Sequence, residues 1–291
     1  MHALASPVLL LGARGLVGSA WRARLERLGT PFDAPTRREL DFEKPEHLDS
    51  IARGPWRTVI NCAAWANVDS AEAAENEAAA VNGHAPGRIA AACARSGARF
   101  LHYSTDYVFD GRARKPYSVG HVRAPINAYG RTKALGEELI ETSGASWLIV
   151  RTSWVYSPAS QGFLRSVARA LREQPEVRMI SDQLSRPTSV DHLVRTSARL
   201  LATNAQGIWH VTDGGVASRY DMACEIAAAL PQGGAARVVP IPASEASRPA
   251  PRPAYSVLDI ARTEARLGPM PDWRTLLREA AHNLTPHAPH A

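Results

Sequence analysis

The chain has 291 residues, 45% of them hydrophobic, enough for a large core built as one large domain or two smaller ones. Its formal charge of +6 comes from arginines scattered among acids, with no long basic run, so we expect no nucleic-acid partner; the positive surplus suits attraction of phosphate-bearing small molecules. Three cysteines (Cys62, Cys93, Cys224) without metal or C-x-x-C spacing fit a reduced, cytoplasmic compartment, and the first apolar run is too short to span a membrane and lacks a signal peptide's basic leader.

In chain order, residues 7–13 (PVLLLGA) read as a buried strand, and 16–28 have helical spacing. A second clear strand covers 58–64 (TVINCAA). The alanine-rich stretch 70–96 is helical, interrupted near Gly83 and Pro86. Residues 99–109 hold a strand and its exit loop, 129–143 a helix, and 146–156 (SWLIVRTSWVY) a strand. Shorter strands are expected at 177–181 and 207–212. This rhythm implies right-handed crossovers and a Rossmann-type, doubly wound α/β fold with a mainly parallel sheet. Periodicity does not order the strands.

Beyond Asp213 the pattern changes to a helix at 220–230, a proline-rich stretch at 240–253, and two further helices, the last near Trp273. We expect a smaller C-terminal substrate-binding lobe there. The dinucleotide-binding domain would be 1–162, continued by about 186–212, with 163–185 and 213–291 forming the lobe. His287 and His290, set among prolines, read as an unstructured end rather than a metal site.

Gly12, Gly15 and Gly18 follow the first strand and open a helix. Such glycines allow a tight turn, close approach of a pyrophosphate to bare backbone, and packing of helix on strand, while the helix N-terminus offers N–H groups to phosphate. At the expected end of the next strand, an acid would hold a ribose hydroxyl and an arginine would accommodate a 2′-phosphate. The sequence there is Pro35-Thr36-Arg37-Arg38, which favours NADPH with Arg37 as the contact; the nearby Asp33 keeps NADH open.

Tyr129 and Lys133 stand at i and i+4, on one side of a helix. A free tyrosine titrates near pH ~10; an ammonium one turn away favours its phenolate and makes it a usable general acid. Upstream, Ser104-Thr105-Asp106 closes a strand, where a hydroxyl points into the ligand crevice of a parallel sheet.

With these residues in place, the sequence resembles the extended short-chain dehydrogenase/reductases and, more narrowly, the dTDP-4-dehydrorhamnose reductase family. The matching stretches run almost the whole chain: LLLGARGLVG (9–18), LDFEKPEHL (40–48), VINCAAWANVDSAE (59–72), YSTDYVFDG (103–111), NAYGRTK (127–133), RTSWVY (151–156), DQLSRPTSVDHL (182–193), GIWHVTDGG (207–215) and APRPAYSVLD (250–259). The glycine loop and Y-x-x-x-K mark the wider superfamily; YSTDYVFDG and APRPAYSVLD are the specific ones. The resemblance implies NADPH-dependent reduction of a nucleotide-linked 4-keto-6-deoxysugar in dTDP-L-rhamnose biosynthesis, with Tyr129 as proton donor, Lys133 as its partner and Thr105 on the reacting carbonyl. It places Gly15, Leu16, Val17, Asp41, Phe42, Ala64, Trp65 and Ala66 against the cofactor, and Thr105, Asp106 and Trp154 against the sugar nucleotide. We add Arg252 as a pyrophosphate contact, since a guanidinium suits bidentate phosphate binding.

Two positions depart from the family pattern: Ala66 stands where threonine is usual, and Ser185 where glycine is usual. Both bear on the sugar rather than on reductase chemistry. No metal is expected, and a homodimer is allowed. Two other readings stay open: an NAD-dependent epimerase or dehydratase, which usually carries a glutamate after the Thr-Asp pair where Tyr107 stands here, and a non-catalytic, cofactor-binding regulatory subunit.

Overall fold

Four consecutive aliphatic residues form strand β1 (Val8–Leu11), and all four are buried, as in a strand covered on both faces. Helix α1 (Leu16–Arg27), the short strand β2 (Phe32–Asp33), α2 (Pro45–Ser50) and β3 (Thr58–Asn61) follow. Next come α3 (Val68–Ala73), α4 (Glu75–Ala79), a π-helical turn at Ala80–His84, α5 (Ala85–Ser96), β4 (Arg99–Thr105), α6 (Ala128–Glu141) and β5 (Ser146–Thr152). The second half contains β6 (Val155–Tyr156), α7 (Phe163–Glu173), β7 (Glu176–Ile180), β8 (Thr188–Ser189), α8 (Val190–Ala202) and β9 (Gly207–His210). It ends with α9 (Arg219–Ala229), β10 (Arg237–Ile241), α10 (Ala261–Leu267) and α11 (Trp273–His282). This is a computed structural model that describes residues 4–230 and 236–284; the tail carrying His287 and His290 lies outside them.

The main sheet is parallel throughout, in the order β2-β1-β3-β4-β5-β9. The winding reverses between β1 and β3, and ligands of such sheets bind outside the strand ends at that switch point. Alternation along β1 serves two cores. Val8 and Leu10 pack with Trp21 and Leu25 of α1 and Leu193 and Leu200 of α8. Leu9 and Leu11 pack with Leu48 of α2 and Ile89 and Cys93 of α5. A third core joins Leu164 and Leu171 of α7, Met222 and Ile226 of α9, and Trp273 and Leu277 of α11, beside the parallel pair β7–β10.

Three segments differ from the sequence expectation. The strand expected over 146–156 is two strands: Trp154 has φ 44, a left-handed conformation that a bulky residue rarely adopts, and it turns the chain out of the main sheet so that β6 pairs with β8. The stretch 70–96 breaks at Ala74, whose φ −138 and ψ 51 are non-helical, and again at the π turn; Pro86 lies in the first turn of α5, where a missing N–H costs little. Strand β10 includes Pro240, the residue opening the expected proline-rich stretch; a two-stranded sheet has only edge strands, and these tolerate proline. No described helix is long and apolar enough to cross a membrane. Among the described residues no three His, Cys, Asp or Glu side chains cluster as metal ligands.

Candidate active site

The glycine loop shows why its residues must be small. Gly12 has φ +74, and a Cβ on it would lie 2.5 Å from the Ala63 nitrogen. A Cβ on Gly18 would lie 2.1 Å from the Gly12 carbonyl oxygen, so this glycine is what lets α1 close onto the loop. Gly15 caps α1 with extended backbone; no side-chain oxygen caps this end, and no acid sits in its first turn. The first-turn N–H groups and the positive end of the helix are thereby available to an anion. A crevice of about 380 Å³ opens here, and Gly12, Gly15, Arg37, Asp41, Phe42 and Ala64 line it, together with Arg14 and Arg22. Leu16 opens α1, Val17 packs partly buried on the core beneath, and Gly18 is buried. Arg37 is exposed and paired with Glu43 at 2.6 Å. Asp33 lines a neighbouring hollow with Glu39 and Trp56 and does not border this crevice.

Of the β3 exit loop, Ala64 faces the crevice, while Trp65 packs among Ala71, Ala78, Ala128 and Tyr129. Ala66 is exposed. Asn82, fully buried in the π turn, holds this loop. Its Oδ1 accepts from the Trp65 N–H at 2.8 Å, and its Nδ2 donates to the Trp65 carbonyl and to Thr132 Oγ1 on α6, each at 3.1 Å. The sequence marked the helix interruption beside Gly83 but not this residue; π turns often sit at functional sites because the extra residue re-aims a side chain.

Asn127 caps α6 by accepting from the Gly130 N–H at 2.8 Å, and its Nδ2 donates to the Pro251 carbonyl at 2.9 Å. Tyr129, on the first turn, is half-buried, edge-on to Tyr107 with centroids 5.9 Å apart. Burial pushes its phenol pKa up, and the Thr105 hydroxyl partly offsets this, so Tyr129 is a proton-bearing phenol. Lys133, one turn on, is 2% exposed. Its Nζ donates to the Tyr103 carbonyl at 2.6 Å and lies 2.9 Å from His102 Nε2.

Thr105 ends β4. Its Oγ1 donates to Asp106 Oδ1 at 3.0 Å and accepts from the Tyr107 N–H at 3.2 Å. The Asp106 carboxylate is buried and also accepts from Ser185 Oγ at 3.2 Å and from Ser256 Oγ. Burial raises its pKa to about 6, against the opposing pull of these hydroxyls. Ser185, the departure from the family's glycine, thus supplies a third hydroxyl to this carboxylate.

Trp154 lies under the guanidinium of Arg219, 4.0 Å from its ring centroid, and the same guanidinium is 4.5 Å from the Phe163 ring. Burial lowers the Arg219 pKa to about 10, and among the described residues no carboxylate pairs with it. Arg252 instead donates to Asp69 at 3.0 Å and to the Ala250 carbonyl at 2.8 Å. The fold therefore gathers Thr105, Asp106, Tyr129 and Lys133 at the end of β4, puts Trp154 at the exit of β5, and leaves Arg37 on the wall of the crevice by the glycine loop. Sequence reasoning passed over Arg219, His102, Asn82 and Ser256. Ser256 stood inside the APRPAYSVLD match, but nothing in the spacing linked it to Asp106, 150 residues away.

A phosphate-accepting helix end and a proton-bearing phenol, set along the same strand ends, support hydride transfer to or from a carbonyl. The chain is an NAD(P)H-dependent oxidoreductase with the architecture of the short-chain dehydrogenase/reductases. Residues 6–285 match the RmlD substrate binding domain family, and the chain belongs to that family, the dTDP-4-dehydrorhamnose reductases. It is 39% identical to the dTDP-4-dehydrorhamnose reductase of Burkholderia thailandensis, covering 92% of this chain and 95% of that protein. It is 37% identical to a dTDP-4-keto-6-deoxy-D-glucose reductase of Streptomyces niveus, over 94% and 95% of the two chains. Among solved structures, the dTDP-4-dehydrorhamnose reductase of Bacillus anthracis in complex with NADP superposes with a TM-score of 0.89 at 28% identity, covering 94% of this chain and 97% of that one.

Proposed function

We propose that this protein uses NADPH to reduce the C4 ketone of a dTDP-linked 4-keto-6-deoxysugar, with dTDP-4-dehydrorhamnose as the leading substrate and dTDP-L-rhamnose as its product. The observation that carries the reading is the convergence of Thr105, Asp106, Tyr129 and Lys133 at the C-terminal end of β4. The reductases named above, similar along nearly their full length, support the substrate class.

The glycine loop, Asp41, Phe42 and Ala64 would hold the dinucleotide, whose nicotinamide supplies the hydride. Leu16, Val17 and Gly18 shape the loop from beneath, and Trp65 and Ala66 continue the wall toward Tyr129. Arg14, Arg22 and Arg37 line the crevice that Asp33 does not reach, with Asp41 and Glu43 on the same wall; the Arg37–Glu43 pair is exposed, so a 2′-phosphate would displace Glu43 from Arg37 at little cost, which favours NADPH over NADH. Tyr129 keeps its proton at neutral pH and gives it to the forming sugar oxygen. Thr105 would orient the ketone by turning its single hydroxyl proton from Asp106 toward the substrate; Ser185 and Ser256 keep Asp106 hydrogen-bonded while it does so. Trp154 would border the sugar nucleotide. Arg219, lacking an acidic partner among the described residues, suits the diphosphate better than Arg252, which Asp69 already engages. The core of α7, α9 and α11 would form the substrate-binding lobe behind these two residues.

The test is NADPH absorbance followed against a panel of nucleotide-linked 4-ketosugars. We expect stoichiometric oxidation with a dTDP-linked 4-keto-6-deoxysugar. Sugar conversion without net NADPH loss would instead identify an epimerase or dehydratase, and tight cofactor binding without any turnover a regulatory subunit. In the same assay Arg37→Ala should raise the KM for NADPH by roughly 3- to 10-fold, a modest effect because the side chain is exposed, and leave the KM for NADH unchanged. An equal change for both cofactors would remove Arg37 from the 2′-phosphate.

A further inference from the structure

Three buried side chains run in a line from the exit of β3 to α6: Asn61 (0% exposed), His102 (1%) and Lys133 (2%). The Ala63 N–H donates to Asn61 Oδ1 at 3.0 Å, which turns the amide so that its Nδ2 faces His102 Nδ1 at 3.1 Å. An amide nitrogen only donates, so Nδ1 must present a lone pair, and the single proton of the neutral ring stands on Nε2. Nε2 lies 2.9 Å from Lys133 Nζ. An N–H there needs a lone pair opposite, which an ammonium lacks and an amine has. The remaining bond, from Nζ to the Tyr103 carbonyl at 2.6 Å, is one an amine can also donate.

Other proton distributions leave a mismatch. A charged Lys133 donating to Nε2 puts the ring proton on Nδ1, so the Asn61 amide must turn over and set its NH₂ against the Ala63 N–H. A charged ring beside a charged lysine buries two cations in contact, and burial holds the His102 pKa well below its ordinary value, with Lys133 adding to the effect.

We infer that His102 is a positioning residue that sets the proton count of Lys133: in the resting site its Nε2–H donates to Nζ and holds the lysine as a neutral amine. Protonation is a two-sided exchange. Nζ takes a proton from solvent, the ring proton moves from Nε2 to Nδ1, and the Asn61 amide turns to accept it; the net change is one proton gained. The other titratable groups around Lys133 are Glu137 on the same helix, already met by Arg151 of β5 and by Arg123, and Tyr129 one turn before it. Burial lowers the Lys133 pKa to about 8, with Glu137 pulling the other way; a donor aimed at Nζ lowers it further. Tyr129 thus rests beside an uncharged amine and keeps its proton, and the ammonium appears only when a phenolate needs stabilising. This holds whichever sugar the site reduces.

The chain has only three lysines, and Lys44 and Lys115 are exposed, so the full-length protein labelled with [13Cε]lysine gives three NMR signals; the one missing in Lys133→Arg belongs to Lys133. Without nucleotide, its midpoint should lie below neutral pH, as a resting amine requires. Asn61→Asp keeps an acceptor for the Ala63 N–H and places a second one opposite Nδ1, so it should fix the Nδ1–H tautomer, visible in 15N histidine spectra, and raise the midpoint by at least one unit. His102→Gln, which offers Nζ an oxygen acceptor, should raise it as well. A merely structural contact would change the melting temperature and leave tautomer and midpoint in place. A wild-type midpoint at or above neutral pH, or one that neither substitution moves, overturns the inference. Should either variant fail to fold, the wild-type midpoint and ring tautomer decide it. No substrate enters these measurements, so their failure would leave the reductase reading standing.

Discussion

Lys133 and Glu137 lie one turn apart on α6, both buried, with their charges met in different ways. Glu137 accepts from Arg151 Nε at 2.8 Å and Nη2 at 2.6 Å, and from Arg123 at 3.1 Å. Burial alone would raise its pKa, but these guanidinium groups hold it below the ordinary carboxylate value. Lys133 has a ring nitrogen and a backbone carbonyl as partners and, among the described residues, no carboxylate of its own. A buried charge bonded to opposite charges is fixed, and breaking the pair leaves an uncompensated ion. A buried amine among neutral groups can gain or lose its proton at modest cost, which is what a proton-handling site requires. One half of the helix thus anchors the fold, while the other carries the groups proposed above to handle protons.

The sharpest test of that division is Tyr129→Phe. It should lower kcat by about 10²–10⁴-fold, the usual range for removing a general acid, while NADPH binding, followed by fluorescence, and the melting temperature stay close to wild type. Near-normal turnover would break the comparison at its chemical end. Glu137→Gln should do the reverse. Arg151, 1% exposed, would lose its counter-charge, and urea unfolding should show a loss of about 3–5 kcal/mol, with little change in kcat for the protein that remains folded. The pH sign follows from the depressed pKa: the stabilisation by Glu137 is present above its unfolded pKa of about 4.3 and is lost as pH falls through the folded value. The wild type should therefore lose this increment in acid, and the glutamine variant should not. A smaller effect is expected of Asn82→Ala. Loss of the bonds to Trp65 and Thr132 should cost about 1–3 kcal/mol and raise the KM for NADPH with kcat unchanged, since the residue holds the β3 exit loop beside the proposed cofactor crevice and not the reacting atoms. A fall in kcat alone would move Asn82 to the chemical side.

The local periodicities were the legible part of the fold. VLLL in β1, the strand ahead of Thr105, and the helix carrying Tyr129 and Lys133 fall where the apolar pattern puts them, because burial on one or both faces imposes a period on the sequence. Strands β6, β8 and β10 were not legible. The first two contain two residues each and have no period to detect, and β10 carries a proline that only an edge position accommodates. Helix α8 begins with the quoted VDHL itself, in a stretch where the sequence reading assigned no helix.

In the candidate site, the residues proposed to meet a ligand through local geometry were accessible from sequence: the glycine loop, the i,i+4 pair, and a hydroxyl at a strand end. The sequence by itself determined the chemistry on offer: a phosphate-accepting loop, a phenol with a lysine one turn away, and arginine in place of acid at 37. Tertiary structure decided how that chemistry is held. It brought Ser185 and Ser256 to Asp106, turned Arg252 to Asp69 and left Arg219 over Trp154. It also aligned Asn61, His102 and Lys133 from three separate elements. Such contacts join residues tens to hundreds of positions apart, and their geometry is set by strand order and crossover, which no local periodicity encodes.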